Sequence, residues 1–384
     1  MNSLKILVAP NSYKGCLHAY EVAEFMEQGI LEAFPQAEVH KMAVADGGEG
    51  TVKAIIGAIG GRLHEVKVTG PLGNPVKADI GLMKEGHTAV IEAASASGLT
   101  LVPKERLNPM LTTTYGTGQL IKEALELGCR KLIIGIGGSA TNDGGVGMAQ
   151  ALGARFLNKD GENIGYGGGE LESICRIDLS DMDPRIAECE FIIASDVTNP
   201  LCGENGASAV FGPQKGATPE MVRSLDNGLL HLSRVIESEL GKDIANLQGA
   251  GAAGGLGGGL MAFLPGKMAR GIDIVLEAAD FENRVQQMDF VITGEGHTDH
   301  QTSFGKTPVG IARLAKKFNV PVICISGGIT SDVQGLYEQG INVIVGVAQR
   351  PMTLEEAMIH APALIRHAVS SVIRTLMITM RPEA

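Results

Sequence analysis

Short apolar runs alternate with helical patterns along much of the chain. Leu4 to Pro10 reads LKILVAP, which suits a parallel strand buried on both faces, and in the segment Ala19 to Ile30 that follows apolar residues recur every three or four positions. The same alternation returns at Val39 to Ala45, Lys131 to Ile136, Asp289 to Thr293, Val320 to Ser326 and Ile341 to Val347. Strands separated by helices in this way predict βαβ units and a parallel sheet.

A second pattern interrupts this alternation. Arg62 to Thr69 and Val76 to Met83 alternate polar and apolar residues on either side of the turn Gly70 to Asn74, and His87 to Glu92 follows them. Polar alternation is typical of strands with one face in solvent, so we expect antiparallel pairing among these three segments. A glycine-rich and less regular block, Gly153 to Gly259, lies further along the chain.

The length of the chain indicates more than one domain. At 384 residues it exceeds the ~250 to 300 residues at which a single hydrophobic core usually stops growing. Runs of the parallel type lie on both sides of the interrupting blocks. We therefore predict an α/β fold of two domains, a discontinuous Rossmann/flavodoxin-like parallel sheet domain (residues 1–60, 112–150 and 285–384) and an inserted mixed α/β domain (residues 61–111 and 151–284).

Charge and composition exclude several classes of partner. The formal net charge of −11 repels the phosphate backbone of nucleic acid, and aromatic residues, at 4% with no Trp, offer few stacking platforms. No run reaches the ~18 uncharged apolar residues of a membrane helix. The cysteines are scattered without a CxxC pair and no secretory signal is evident, so we expect reduced thiols in the cytoplasm. Neither nucleic acid nor a membrane is an expected partner.

Glycine is unusually frequent, with 52 residues, and it concentrates in loops after predicted strands. The loop Pro10 to Gly15 places Ser12 and Lys14 just beyond the first strand, where open α/β sheets bind ligands. The next such loop contains Asp46, Gly47, Gly48 and Glu49. Its two carboxylates can accept hydrogen bonds from substrate hydroxyls or hold a hydrated Mg²⁺, and they can equally cap a helix.

The loop Gly135 to Gly145 is the richest in glycine and hydroxyl groups. Gly135-x-Gly137-x-x-Ala140 matches the dinucleotide-binding fingerprint, but the acidic residue expected about 20 residues further on is represented only by Asp160, in a turn. A glycine-rich turn at a helix N-terminus also suits the phosphates of other ligands. Candidate residues here are Gly137, Gly138, Ser139, Thr141 and Asp143. A second glycine-rich run, Gly249 to Gly259, fits either close helix packing or another anion-binding loop.

Three further positions carry candidate groups. Asp196 follows the strand Phe191 to Ala194 and is a candidate base or metal ligand, with an Asx turn as the equal alternative. Lys215 lies between glycines, where its ammonium could reach a phosphate. Glu295 precedes a Gly-Lys-Thr sequence, but the first glycine of a P-loop would have to stand at position 300, which is His300.

Together the loops supply carboxylates, hydroxyls, lysines and backbone N–H groups. They contain no nucleophile elbow, no HRD or DFG signature of protein kinases and no redox motif. This inventory suits phosphoryl transfer, in which the protein mainly positions the reactants and stabilises charge on the phosphoryl oxygens.

Five motifs, in order, resemble those of the bacterial type 1 glycerate kinase family. They are Ala9-Pro10-Asn11-Ser12-Tyr13-Lys14, Ala45-Asp46-Gly47-Gly48-Glu49-Gly50-Thr51, the run Gly135 to Gly145, Phe211-Gly212-Pro213-Gln214-Lys215-Gly216-Ala217 and Ile292-Thr293-Gly294-Glu295-Gly296. The resemblance covers nearly the whole chain. It implies a two-domain α/β enzyme, unrelated to P-loop kinases, that phosphorylates D-glycerate from ATP with Mg²⁺ at an active site between its domains.

The chain departs from the family pattern at two positions. Asn11 stands where the family usually has Asp, and His297 follows Gly-Glu-Gly where the family usually has Arg. Because the usual aspartate is missing, we place the general base at Asp196 or Asp143.

The resemblance and the loop inventory together lead us to expect specific roles. We expect catalytic groups at Lys14, Asp196 and Asp46, substrate contacts from Ser12, Gly47, Gly48, Glu49 and Lys215, nucleotide contacts from Gly137, Gly138, Ser139, Thr141, Asp143 and Glu295, and Mg²⁺ ligands at Asp143 and Asp196.

We therefore predict a kinase that uses ATP and Mg²⁺ to convert D-glycerate to 2-phospho-D-glycerate, the 2-position being implied by the resemblance alone. One alternative is a NAD-dependent 2-hydroxy-acid dehydrogenase, based on the run Gly135 to Ala140. Another is a catalytically retuned relative that only binds a small molecule, suggested by Asn11 and His297. A homodimer is compatible with the sequence, which leaves the oligomeric state open.

Overall fold

The computed structural model describes residues 4–42, 44, 52, 55–57, 60–299, 302, 307–330 and 332–379. The chain is α/β and divides into two compact units. The first unit comprises Met1–Asp46 and Ile272–Ala384, and the second comprises Gly47–Gly271.

The strands of the described residues are numbered in chain order. They are β1 (Lys5–Val8), β2 (Glu38–Lys41), β3 (Gly61–Thr69), β4 (Pro75–Met83), β5 (Thr88–Glu92), β6 (Lys131–Gly135), β7 (Arg155–Leu157), β8 (Arg176–Asp178), β9 (Glu190–Ala194), β10 (Gly266–Ala269), β11 (Phe290–Thr298), β12 (Val322–Ile329) and β13 (Ile341–Gly346).

The helices are named by their bounds. The α-helices are Ala19–Ala33, Ala94–Ser97, Tyr115–Glu126, Val146–Ala151, Ala207–Phe211, Pro219–Leu240, Leu256–Phe263, Gly271–Ala278, Phe281–Val285, Thr307–Lys317, Gln334–Glu338, Leu354–Ile359 and Ala361–Thr379. Short 3₁₀ turns lie at Leu99–Leu101, Lys104–Arg106, Gly168–Ser173, Pro184–Glu188 and Pro213–Lys215.

The first unit is built on a parallel sheet of five strands in the order β2-β1-β11-β12-β13. This is the doubly wound order of flavodoxin-like folds, in which ligands bind beyond the strand ends where the chain switches direction, here between β1 and β11. Ile6, Ile292 and Ile325 of the strands share one buried core with Met26 and Ile365 of the helices. The sheet therefore fixes where the β1 loop and the β11 loop emerge.

The second unit is built on a mixed sheet of six strands in the order β10-β9-β6-β5-β4-β3. The strands from β10 to β5 are parallel, whereas β4 is antiparallel to both β5 and β3. A separate pair, β7 and β8, is antiparallel. Ile91, Ile134, Phe191 and Ile193 are fully buried in the core of this unit.

The predicted α/β class, the parallel sheet and the antiparallel pairing of the polar segments are confirmed. The division of the chain differs from the predicted one in three places. Residues 47–60 were expected in the first unit and belong to the second, whereas residues 272–284 were expected in the second and belong to the first. The largest difference is at residues 112–150, which were expected beside β1 and belong to the second unit. The physical reason is the pairing of β6 with β5 and β9. A buried apolar run identifies a parallel strand but not the sheet that it joins.

No helix of the described residues has both the length and the apolar character needed to cross a membrane. Each of the six cysteines is a free thiol.

In the first unit, the helices Ala19–Ala33 and Ala361–Thr379 approach closely at Gly29. A Cβ atom at Gly29 would overlap the carbonyl oxygen of Arg366 and come within 3.0 Å of Cβ of Val369. We expect Gly29→Ala to lower the free energy of unfolding by about 1–3 kcal/mol, because a backbone oxygen cannot move aside and the clash outweighs the gain in helix propensity. Urea denaturation measures this change.

Gly335, in the helix Gln334–Glu338 of the same unit, provides the matched control. A Cβ atom there meets nothing within 4 Å. Gly335→Ala should therefore raise the free energy of unfolding by about 0.5–1 kcal/mol through helix propensity and a less flexible unfolded chain. Equal changes in the free energy of unfolding for the two substitutions would show that stability does not depend on the close approach of the helices at Gly29.

Candidate active site

Four parallel strands of the second unit end side by side. Glu92 of β5 pairs with Gly135 of β6, Gly135 with Ala194 of β9, and Ala194 with Ala269 of β10. The loops that follow these strands therefore leave the sheet at one edge, where α/β proteins bind their ligands. This row of strand ends brings together several of the predicted site residues.

The loop after β6 does not have the geometry of a dinucleotide-binding turn. The helix Val146–Ala151 begins six residues beyond Ala140, the last position of the fingerprint, whereas that motif leads directly into its helix. Gly137 and Gly138 are exposed, and Gly138 has φ of +78°, which favours glycine. The rest of the loop is buried, so the exposed turn Gly137-Gly138 is its accessible part.

Asp143 is buried within the loop, at 1% exposure. Its Oδ2 accepts from the backbone N–H (2.7 Å) and hydroxyl (2.8 Å) of Thr114, and its Oδ1 accepts from the N–H of Gly145 (3.2 Å). Burial raises the pKa of Asp143, and the hydrogen bonds from Thr114, Gly145 and Gly147 oppose that shift. These contacts tie the loop to the helix Tyr115–Glu126; a role toward nucleotide or Mg²⁺ stays a prediction.

Lys215, at the end of the turn Pro213–Lys215, has its ammonium in the interior at 2% exposure. Its Nζ donates to Oγ of Ser139 (2.9 Å) and to the carbonyl oxygen of Thr141 (2.7 Å). Burial lowers the pKa of Lys215 to about 7, while the negative charge of Asp143 acts in the opposite direction. The ammonium therefore binds the loop after β6, and the predicted contact with substrate stays a prediction.

Asp196 lies two residues beyond β9 and is exposed. Its Oδ1 accepts from the backbone N–H of Gly271 at 3.2 Å, the first residue of the helix Gly271–Ala278. A carboxylate at a helix N-terminus is stabilised by the helix dipole. Among the predicted acids of the described part of this unit, Asp196 has the accessible position, as a base or metal ligand requires.

Glu92 and Arg270 are candidates that the sequence analysis missed. Glu92 ends β5, and its Oε1 accepts from the backbone N–H of Val52 at 2.7 Å. Arg270 follows β10 directly and is half-buried. The sequence signal for Glu92 was an acidic residue at the end of the apolar strand TAVIE. Arg270 gave little signal, because the four-residue strand before it, GKMA, has no apolar run.

In the first unit, the loop after β1 is held by backbone bonds and a buried tyrosine. Asn11 is 6% exposed; its N–H donates to the carbonyl oxygen of Gly294 (2.9 Å) and its Oδ1 accepts from the N–H of Ser12 (2.7 Å). The hydroxyl of Tyr13 donates to the carbonyl oxygen of Ile325 at 2.9 Å. This anchoring leaves Ser12 half-buried and Lys14 exposed beyond the strand end.

Glu295 lies in β11 beside that loop and is 6% exposed. Its Oε1 accepts from the hydroxyls of Thr298 (3.1 Å) and Thr302 (2.8 Å). A Cβ atom at the neighbouring Gly294 would overlap the carbonyl oxygen of Ile325, which explains the glycine at that position. The predicted contact of Glu295 with nucleotide stays a prediction.

Several predicted residues lie outside the described part of the chain. They are Asp46, Gly47, Gly48 and Glu49. Within the described residues, no group of three or more His, Cys, Asp or Glu side chains is placed to hold a metal ion.

The buried ammonium predicts an unusual dependence of stability on pH. The pKa of Lys215 is about 7 in the folded chain against an ordinary value of 10.5, so between these pH values the unfolded chain binds more protons. The free energy of unfolding should then rise with pH in this window, by up to about 1.4 kcal/mol per pH unit from this group. Lys215→Met removes that titration. Urea unfolding of both proteins from pH 7 to 9 should show the wild type gaining stability relative to Lys215→Met as the pH rises, and a difference that is independent of pH contradicts the prediction.

Comparisons with known proteins cover nearly the whole chain. The model of the glycerate kinase family matches residues 6–377. The protein named Glycerate 2-kinase of Escherichia coli K12 is 50% identical over 378 residues, covering 98% of this chain and 99% of that protein. The Glycerate kinase of Bacillus subtilis 168 is 52% identical over 358 residues, covering 93% and 94%.

A solved structure is similar over the same length. It is a crystal structure from Salmonella typhimurium LT2, of a protein provisionally named glycerate kinase 2, with a TM-score of 0.87 and 48% sequence identity over 98% of this chain and 99% of that one. The family match and these end-to-end similarities show that the chain belongs to the glycerate kinase family.

Proposed function

We propose that the protein transfers the γ-phosphoryl group of ATP to the 2-hydroxyl of D-glycerate. The observation that carries this proposal is the 50% identity with a protein named Glycerate 2-kinase over 98% of one chain and 99% of the other. Every candidate site residue lies inside the range 6–377 that the family model matches. The loops after the strand ends provide the groups that such a transfer requires.

The reaction forms one bond and breaks another. The oxygen of the glycerate 2-hydroxyl attacks the γ-phosphorus, the bond between that phosphorus and the β,γ-bridging oxygen breaks, and ADP leaves. The hydroxyl proton passes to a base. Since the protein forms no covalent bond with the phosphoryl group in this scheme, its contribution is to position the reactants and to stabilise charge.

The exposed turn Gly137-Gly138 is the proposed contact for the nucleotide phosphates. It follows β6 at the row of strand ends, and its lack of side chains lets backbone N–H groups approach an anion closely. Ser139, Thr141 and Asp143 are buried behind it and would act by holding the turn.

Asp196 is the proposed base for the hydroxyl proton. Its exposed carboxylate lies beyond β9, in the same row of strand ends as the turn Gly137-Gly138. The alternative role of Asp196 is that of a Mg²⁺ ligand, because Mg²⁺ in kinases is usually held by one or two carboxylates together with substrate phosphates and waters, and a single accessible carboxylate fits this ion. Bound there, Mg²⁺ would neutralise charge on the phosphates.

Lys14 and Ser12 are the proposed groups of the first unit. The exposed ammonium of Lys14 follows β1 at the switch point, where it would attract the glycerate carboxylate or the transferred phosphoryl group. Ser12 would donate a hydrogen bond beside it. Asn11 accepts from Ser12 N–H through Oδ1. Its amide cannot take up a proton as the family's aspartate could, so the proposal places the base at Asp196.

The dehydrogenase alternative loses its support because the helix after β6 begins six residues beyond the fingerprint. The catalytically retuned relative keeps both of its arguments, Asn11 in place of the family's aspartate and the exposed His297 in place of the family's arginine. The homodimer and the cytoplasmic location stay predictions.

A coupled assay tests the proposed function directly. The purified chain with ATP, Mg²⁺ and D-glycerate should release ADP, and phosphorus NMR should identify 2-phospho-D-glycerate as the product. A control with NAD and glycerate, read as NADH absorbance, should show no change. Accumulation of 3-phospho-D-glycerate would show that the phosphoryl group goes to the 3-hydroxyl. If no ADP were released, the proposed function would be wrong.

The proposed base predicts a specific pattern in mutant kinetics. Asp196→Asn keeps the size of the side chain and removes its charge, so kcat should fall by roughly 10² to 10⁴, with a small change in KM. Asp226→Asn is a matched control, because Asp226 also accepts from a backbone N–H, that of Gly203 at 2.9 Å, but lies in the helix Pro219–Leu240 and not beyond a strand end. A near-normal kcat in Asp196→Asn would show that Asp196 is not the base and that another carboxylate has this role.

A further inference from the structure

Lys215 is among the largest fully buried side chains of the described residues. A buried ammonium is costly unless it is paired by hydrogen bonds. The two groups that accept hydrogen bonds from it, on Ser139 and Thr141, belong to the loop after β6, more than 70 residues earlier in the chain. The position of the lysine is therefore coupled to the shape of that loop.

The buried part of the loop is fixed residue by residue. The N–H of Ala140 donates to the carbonyl oxygen of Ser97 (2.8 Å), and the carbonyl oxygen of Ala140 accepts from the hydroxyl of Thr112 (2.8 Å). The side chain of Asn142 donates to the hydroxyl of Ser208 at 3.0 Å. Lys215 supplies the bonds to the two residues on either side of Ala140.

The segment carrying the lysine is fixed as well. Gly216 has φ of +89°, and a Cβ atom there would overlap the carbonyl oxygen of Leu107. The backbone around Lys215 thus has little freedom to follow a displaced loop, so the two bonds from Nζ act as a strut between two fixed segments.

We propose that Lys215 is a positioning residue that, through Ser139 and Thr141, holds the exposed turn Gly137-Gly138 in the shape that receives the nucleotide phosphates. The proposal rests on the proposed function. It assigns Lys215 no contact with substrate, unlike the direct phosphate contact expected from the sequence. An apolar side chain could fill the same volume at lower cost, but it could not hold a hydroxyl and a carbonyl oxygen in place.

The test compares three variants. Lys215→Met removes both bonds, and Ser139→Ala removes one and serves where the first variant folds poorly. Lys242→Met is the matched control, because Nζ of Lys242 also donates to two carbonyl oxygens, those of Met261 (3.3 Å) and Ala262 (2.5 Å), at the far end of the helix Leu256–Phe263.

The first readout is hydrogen exchange in the absence of nucleotide, which does not depend on activity. Amides of residues 137–142 should exchange faster in Lys215→Met and in Ser139→Ala than in the wild type or in Lys242→Met. Unchanged exchange in both loop variants would overturn the proposal.

The second readout is the split between KM and kcat. KM for ATP should rise roughly tenfold or more in Lys215→Met and less in Ser139→Ala, while kcat stays within about threefold. A decrease in kcat without a rise in KM would show that Lys215 stabilises charge on the transferred phosphoryl group directly. That result would overturn the proposal. If the wild-type protein lacked D-glycerate kinase activity, the proposed function would be refuted. The hydrogen-exchange data alone would then test whether Lys215 holds the loop after β6 in place.

Discussion

The register of four parallel strands is the constraint on which the candidate site of the second unit depends. Because Glu92, Gly135, Ala194 and Ala269 lie side by side, the loops that follow them must leave the sheet at one edge. β5, β6 and β9 are mostly apolar, and the candidate groups of this unit lie at the last residues of the strands or in the loops beyond them. Residues far apart in the chain become neighbours because backbone hydrogen bonding aligns the strand ends, which is how α/β sheets assemble binding sites.

Behind that edge, buried polar groups determine the shape of the loop after β6. Asp143 accepts from Thr114 and Gly145, and Lys215 donates to Ser139 and Thr141. Opposite charges placed in one interior offset part of each other's desolvation, although such groups seldom add net stability. Their presence beside an exposed glycine turn is better explained by the geometry they impose. A preorganised turn needs no rearrangement when an anion arrives.

Sequence patterns predicted the parts of the fold that follow from local periodicity. The runs at β1, β6, β11 and β12 were identified because strands buried on both faces are continuously apolar. The run at β13 was identified by the same apolar pattern, although β13 is an edge strand and is partly exposed. The sheet that β6 joins was not predictable, since pairing partners are set by tertiary contacts. The loops were also identified, but charged residue types suggest exposure, whereas Lys215 and Asp143 are buried. That burial depends on contacts between segments distant in the chain, which no local pattern records.

The glycines of the run 249–259 allow close packing of the backbone and do not form a ligand-binding loop. A Cβ atom at Gly254 would overlap the carbonyl oxygen of Thr141, and one at Gly259 would overlap that of Gly144. The N–H of Gly144 donates to the carbonyl oxygen of Gly254 at 3.1 Å. Backbone therefore lies directly against backbone, which excludes a ligand from this surface of the run. The run supports the loop after β6 from behind, while the loop's own exposed glycines face solvent.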